Sequence, residues 1–555
     1  MRGAMPRAPV LLAAVACAAL AGCHRGSSGD GRPPRPRPLE LVPAFLEVTD
    51  AAGVAFTSLP RPDAAGYGQG VAVADFDGDG DLDLFFPQDA GPCALYRNDG
   101  GMRFTEIAAA AGVRVSGIEA HAKCAAFLDY DRDGRPDLFV GTAGDGNRLF
   151  RNLGDGTFID ATAAAGISGG ASFTVSAAVG DFDGDGWPDL YECNFARTDY
   201  ADPLAEQTSP APNRLWRNGR DGTFADAAPA LGVDDGTATW AAQWVDLDGD
   251  GDQDLLVADD RFFFPGAVVR DRAFVNSGEA GGFRFEDRGP EFGLGESHFG
   301  MGFAVGDLDG DGRNDIYVSD LGANELRLGG DPLPWADRAP LLGVEQGLNS
   351  SGHPLVSWGA AIADFDGDGR NDLLVMNGFL PATDPGPLAT NGQPPALFLA
   401  RDAPPGSPDP GGVAFQESAE AAGLVALACR GARAAVPCDL DGDGDLDLVI
   451  STRFGPARIV RNDTPRRGPW YGVRLHGARC PVEGLGTALE LRRGGRTARA
   501  LVTTGGEYGS SLPCERILTT GPGEGPAALT VRWPGGAVQE VVPVANGWTV
   551  VEEIP

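Results

Sequence analysis

Short apolar runs alternate along most of this chain with compact acidic turns. Val71-Ala-Val-Ala74 leads into an Asp-rich segment at Asp75, and Leu82-Asp-Leu-Phe-Phe86 leads out of it. Apolar runs of this length, bounded by Gly and Asp, read as strands, so each acidic segment is the tip of a β-hairpin. The arrangement returns seven times, from Asp75, Asp129, Asp181, Asp246, Asp307, Asp364 and Asp439, at intervals of 54, 52, 65, 61, 57 and 75 residues. That period suits one four-stranded unit with connections of variable length.

Two other patterns recur between the acidic turns. Phe45-Leu-Glu-Val-Thr-Asp-Ala-Ala-Gly-Val54 has counterparts at Phe104 to Val113, Phe158 to Ile167, Phe224 to Val233, Phe285 to Leu294, Trp335 to Val344 and Phe415 to Leu424. A Leu-aromatic-Arg-Asn segment, Leu95 to Asn98, returns at Leu149 to Asn152 and Leu215 to Asn218, and as Ile459-Val-Arg-Asn462. The first Phe segment precedes any acidic turn, and the last Arg-Asn pair has no Phe segment after it. Pairing the N-terminal strand with the C-terminal unit repairs both ends and closes a ring. The expected fold is therefore all-β: a seven-bladed β-propeller over residues 45–464, with an open β-solenoid as the alternative, and then a small β domain over 465–555.

Each acidic turn has the form Asp-x-Asp-x-Asp-Gly-x-x-Asp, so carboxylates at positions 1, 3, 5 and 9 can converge on one hard cation, with a backbone carbonyl from position 7. An all-oxygen, carboxylate-rich set suits Ca²⁺ better than Mg²⁺. The expected ligands, position 7 included, are Asp75, Asp77, Asp79, Asp81 and Asp83; Asp129, Asp131, Asp133, Arg135 and Asp137; and Asp181, Asp183, Asp185, Trp187 and Asp189. The remaining loops supply Asp246, Asp248, Asp250, Asp252 and Asp254; Asp307, Asp309, Asp311, Arg313 and Asp315; Asp364, Asp366, Asp368, Arg370 and Asp372; and Asp439, Asp441, Asp443, Asp445 and Asp447. About seven structural Ca²⁺ are expected. A merely polar turn would account for one copy more easily than for seven with every Asp position filled. The EF-hand opens in the same way but needs a Glu at position 12 between two helices. Position 12 here is Phe86, Val140, Glu192, Val257, Val318, Val375 and Ile450, and the flanks are strands.

Charge fits this reading. The chain of 555 residues has 78 acidic and 44 basic residues, a net charge of −34, and Lys123 is its one lysine. Nucleic-acid binding, which needs clustered Lys/Arg, is excluded. Beyond the N-terminus no apolar stretch is long enough to span a membrane.

Residues 1–22 form a secretory signal: Arg2 and Arg7 precede an apolar run from Ala8 to Leu20. Its end, Leu20-Ala-Gly-Cys23, resembles a bacterial lipobox, which implies acylation of Cys23. His24 after that cysteine implies the outer membrane, on its periplasmic or surface face, and membrane contact through the lipid alone, with a secreted chain as the alternative. Residues 23–44, with Gly, Ser, Pro and Arg from Gly26 to Pro38, read as a flexible tether.

The loop Gly306-Asp-Leu-Asp-Gly-Asp-Gly312 behind an apolar strand resembles the FG-GAP/VCBS repeats of integrin α-subunit propellers and their bacterial relatives. The longer units, with Arg151-Asn-Leu-Gly-Asp-Gly-Thr-Phe158 and the Ala-Gly-Val endings, are similar to the cartilage acidic protein family. In the C-terminal part, Gly505-Gly-Glu-Tyr-Gly-Ser510 and Trp533-Pro-Gly-Gly536 resemble an ASPIC/UnbV domain, although the Phe-Gly-Leu-Gly turn expected between them is replaced by Ile517 to Gly525. In the second loop Arg132 stands where the other loops have Gly. Export makes Cys93 with Cys124, Cys429 with Cys438, and Cys480 with Cys514 candidate disulfides, leaving Cys193 over.

Neither a His-Glu-x-x-His motif nor a phosphate loop is present in the sequence. Tyr67, His121, Phe173, Trp240, His298, Trp358 and Arg430 sit at comparable offsets before their acidic loops. In a propeller they would converge at the channel mouth opposite the calcium loops, as a ligand surface for protein or glycan or as ordinary strand packing. The sequence points to a non-enzymatic, calcium-binding lipoprotein of the cell envelope that binds, adheres or scaffolds. The alternative is an exported polysaccharide lyase or hydrolase, with His121 or His298 as acid or base.

Overall fold

The repeat unit is a meander of antiparallel strands. In the second unit, Ala122–Leu128 pairs with Asp137–Thr142, then Arg148–Asn152, then Phe158–Asp160. The computed structural model describes residues 42–59, 68–114, 121–144, 146–167, 173–195, 211–234, 238–260, 269–295, 299–347, 355–378, 393–404, 412–427, 431–453 and 455–554. The signal and the tether as far as residue 41, with Cys23, and also Tyr67, His298, Cys429 and Arg430, lie outside the described residues.

Among the described residues seven sheets of this build follow one another, six of four strands and one of three. The short one is the fifth, where Arg327 and Asp337 make a single bridge in place of a fourth strand. The last sheet takes its outer strand from the start of the chain: Phe45 lies opposite Asn462, Leu46 opposite Arg461 and Glu47 opposite Val460. That pairing joins the two ends of the array and gives the propeller its closed edge. Buried apolar residues form layers between neighbouring sheets, including one of Val71, Val73 and Leu84 from the first with Val436, Val449 and Ile459 from the last. The fold is thus an all-β propeller, as the repeat predicts.

The Ala-Gly-Val endings have a local role that strand periodicity does not reveal. Thr49–Ala52, Ala108–Ala111, Thr162–Ala165, Ala228–Leu231 and Ala339–Leu342 are single helical turns that follow the outer strand. Each is stopped by a glycine in the left-handed region, Gly53, Gly112, Gly166, Gly232 and Gly343, with φ between 71° and 80°. Only glycine takes this conformation without cost, and at Gly112 a Cβ would also lie 2.9 Å from the Phe158 carbonyl of the next sheet.

From Trp470 the chain forms two more sheets. Trp470–His476 pairs with Arg516–Thr519 and, in parallel, with Gly547–Glu552. Ala488–Arg493 lies between Arg496–Leu501 and Ala528–Arg532, whose other side pairs with Val538–Val541. Tyr471, Val473, Leu491, Leu529 and Trp533 fill the space between them.

The cysteines depart from expectation. Cys93, Cys124, Cys193, Cys438, Cys480 and Cys514 are all free. Cys93 and Cys124 belong to different inter-sheet layers, and Cys480 and Cys514 border one core without joining. Burial pushes the Cys93 thiol up to about 12, so it packs as an inert apolar group.

Candidate metal loops and the filled channel

Each acidic loop connects the inner strand of its sheet to the second strand. Its first Asp is fixed by the turn it starts: Asp75 Oδ1 accepts hydrogen bonds from the backbone N–H of Gly78 (2.8 Å) and Asp79 (3.1 Å), and Oδ2 accepts one from Gly80 (2.9 Å). Asp439 repeats this with Gly442, Asp443 and Gly444. In the second loop Arg132 takes the glycine conformation, φ 55°, and its guanidinium reaches Gly186 O of the next loop at 2.5 Å.

The ninth residue has a second task. Asp83 Oδ2 accepts from Phe76 N (3.0 Å) inside its loop, while Oδ1 accepts from Asn98 N (2.8 Å) on the third strand. Asp137, Asp189, Asp254, Asp315, Asp372 and Asp447 make the same two bonds. One carboxylate therefore ties loop, second strand and third strand together.

The Asn that donates this backbone bond also links neighbouring repeats. Asn152 Nδ2 donates to Phe76 O, Asn218 to Tyr130 O, Asn276 to Phe182 O and Asn462 to Phe365 O. Asn98 Nδ2 donates to Leu440 O at 3.0 Å, which closes the ring from first loop to last. In the fifth and sixth repeats Gly329 and Ala400 take the place of that Asn. There Asn314 and Asn371, at position 8 of the loop, donate instead to the carbonyls of Asp246 and Asp307.

These loops hold negative charge that the protein leaves partly uncompensated. Asp75, Asp77 and Asp83 place one oxygen each within 4.8 Å of one another, as do the matching residues of the second and third loops; Asp246, Asp248 and Asp250 and Asp307, Asp309 and Asp311 do likewise, with two further groups. Burial, with repulsion from the neighbouring carboxylates adding to it, pushes Asp83, Asp137 and Asp254 up to about 8. The same causes raise Asp129, Asp181 and Asp439 to about 7. Asp131 Oδ1 and Asp183 Oδ1 are buried without a hydrogen-bond partner. A hard cation fits this donor set, because it would neutralise the cluster and satisfy those oxygens.

The C-terminal domain spreads over the face that carries the loops. Arg474 donates to Gly80 O (2.7 Å), Asp129 N to Glu483 (2.6 Å), and Arg499 to Asp307 Oδ2 (2.8 Å). Thr519 reaches Asp364, Gly535 N reaches Gly251 O, Arg479 lies against Gly186 and Trp470 covers Gly444. Every one of the seven loops is touched.

From this domain a finger, residues 503–513, enters the propeller axis. Arg516 holds its two legs by donating to Thr503 O and Pro513 O. Gly506 N donates to Ala242 O, Phe303 N to Gly506 O and Ser511 N to Val71 O. Gly509 meets Gly70 so closely that a Cβ on Gly70 would lie 2.0 Å from the Gly509 carbonyl.

The finger accounts for the residues expected at an open channel mouth. Trp240 and Trp358 are fully buried, Phe173 and His121 nearly so. Phe173, Trp240 and Trp358 share one cluster with Tyr508 at the fingertip, where Tyr508 lies 5.6 Å from Trp240 and 5.0 Å from Trp358 between ring centroids. Arg433 stacks on Trp358 at 3.9 Å. His121 Nδ1 bonds to Asp89 O (2.8 Å), beside the Lys123–Asp89 ion pair (2.8 Å). The structure thus places His121, Phe173, Trp240 and Trp358 in packed surroundings rather than on a surface open to a ligand.

A family model for FG-GAP-like repeats matches residues 75–140, 129–192 and 204–257, so the stretch that carries the first four acidic loops is similar to FG-GAP repeats. Cartilage acidic protein 1 of Xenopus tropicalis is 30% identical over 184 residues, 32% of this chain and 26% of that protein. The Homo sapiens protein is 28% identical over 183 residues, 33% of this chain and 26% of its own. The matched stretch is therefore about a quarter of the length of these relatives. Among solved structures, BBS1N in complex with ARL6DN aligns with a TM-score of 0.39 at 10% identity, over 74% of this chain and 97% of that chain.

Proposed function

We propose that this FG-GAP-repeat propeller is a calcium-stabilised, non-enzymatic binding or scaffold protein of the bacterial cell envelope, anchored by a lipid on Cys23 and engaging a protein or glycan partner. One observation carries the calcium reading: seven loops orient their first and ninth carboxylates by the same backbone bonds, and Asp131 Oδ1 and Asp183 Oδ1 are buried in them without a hydrogen-bond partner. Asp75, Asp77, Asp79 and Asp83 and their equivalents would hold the ion, whose charge would replace mutual repulsion with attraction. The lipid anchor and the envelope location rest on Leu20-Ala-Gly-Cys23.

Extracellular calcium modules bind at roughly 10⁻⁴–10⁻³ M, so the loops would fill after export. Elemental analysis of the exported chain, with thermal melts in calcium and in chelator, tests this. Several calcium ions per chain and a large fall in melting temperature on chelation are expected. Asp309→Ala should lower the melt in calcium and leave the chelated melt unchanged; one site at a hundred times its Kd contributes about 2.7 kcal/mol. A chain without calcium, or one indifferent to chelator, sinks the proposal.

A further inference from the structure

The seven loops differ in the arginines facing them. In the second loop Arg151 Nε lies 2.6 Å from Asp131, and Arg135 pairs with Asp133. In the third, Arg217 lies 2.5 Å from Asp183 and Arg220 2.6 Å from Asp185. In the sixth, Arg401 lies 2.9 Å from Asp366 and Arg370 2.7 Å from Asp368. Positions 3 and 5 are thus both neutralised from within in these three loops.

Arg97 and Arg461 occupy the same strand position as Arg151 and Arg217, yet they make no ion pair with their loops, although their charge still reaches Asp77 and Asp441. Each is taken by an Asp two residues on: Arg97 by Asp99 (2.7 Å) and Arg461 by Asp463 (2.7 Å). In the second and third repeats that residue is Leu153 or Gly219 and offers no carboxylate. No ion pair to Asp77 or Asp441 is formed among the described residues. In these four repeats the residue after Arg-Asn therefore decides whether the arginine pairs with the loop or with its own strand.

We propose that these internal arginines set two classes of calcium site, resting on the calcium reading above: the second, third and sixth loops, with positions 3 and 5 both paired, are weak sites that hold their shape without metal, and the first loop, with both positions bare, and the seventh, where Arg466 reaches Asp443 but position 3 is bare, are tighter sites that need it. A cation entering the second loop can take the free Asp131 Oδ1, but it does so beside the Arg151 guanidinium held on Oδ2, and that positive charge lowers its affinity. One partly exposed pair changes binding severalfold, and two together by about tenfold.

Calcium titration of the full exported chain against a chromophoric chelator is the test. The expected isotherm has two classes, the weaker holding three ions. Leu153→Asp should draw Arg151 off its loop and move one ion to the tight class. Asp99→Asn should free Arg97 and move one ion the other way. Both positions are on the surface, and a chelated melt confirms that each variant folds. Arg217→Gln, which keeps a polar stem, should tighten its site in calcium and lower the melting temperature in chelator. Equal sites that neither variant disturbs would overturn the two classes and leave the calcium reading standing. A chain that binds no calcium would overturn both.

Discussion

Tyr508→Ala is expected to lower stability by about 3–5 kcal/mol, the usual cost of truncating a fully buried aromatic side chain. Tyr508 is 1% exposed and is the apolar anchor of the finger, wedged against Trp240 and Trp358, which themselves meet edge to face at 6.0 Å. The inner strands of all seven sheets surround this finger, so the cavity would open where they converge. The finger's bonds to Ala242, Phe303 and Val71 would then lack their packed tip. The melting temperature should fall in calcium and in chelator alike, tryptophan emission should shift to the red, and protease should cut within residues 503–513. A variant that melts with the parent protein and resists cleavage would show that the finger does not hold the two parts together.

The repeat and its closure were legible because they rest on local signals. Apolar runs and Asp/Gly turns set the hairpins, and the unmatched Phe45 and Asn462 segments fixed which ends must meet. The interactions between repeats were not legible in the same way. The Asn staple joins residues such as Asn98 and Leu440, and no local pattern names its acceptor. A trace of it is present, since Gly329 and Ala400 lose the Asn in the two repeats where Asn314 and Asn371 appear at position 8. The role of the ninth Asp was half visible: metal-loop spacing identifies the carboxylate, but its bond to the third strand depends on pairing register. The finger that fills the channel has no local signature in the repeats, for a different reason. Offsets before the loops placed Trp240 and Trp358 at the axis, but strand periodicity within the propeller says nothing about a segment arriving from the C-terminal domain. Gly505-Gly-Glu-Tyr-Gly-Ser510 carried that information, because glycines around one Tyr suit a backbone that must pass close to others.

Glu507→Gln is expected to stabilise the protein at alkaline pH. Glu507 is 2% exposed, neither carboxylate oxygen accepts a well-formed hydrogen bond, and the Ala435 backbone N–H is the polar group that bears on its charge. It lines a cavity of about 200 Å³ between propeller and C-terminal domain, which Gln243 and Thr503 also line. Burial pushes its carboxyl well above the ordinary 4.5. The folded state therefore keeps a proton that the unfolded chain releases, so stability is lost as pH rises from that ordinary value toward the folded one, by about 1.4 kcal/mol for each pH unit. An amide has the same shape and no such proton to lose, and it brings a donor into a cavity where Gln243 Oε1 lacks one. Melts of both proteins at fixed calcium should separate at pH 8, with the variant higher, and converge as pH approaches 5. Equal melting at pH 8 would mean that Glu507 finds compensation for its charge, and a less stable variant would mean that the charge itself is used.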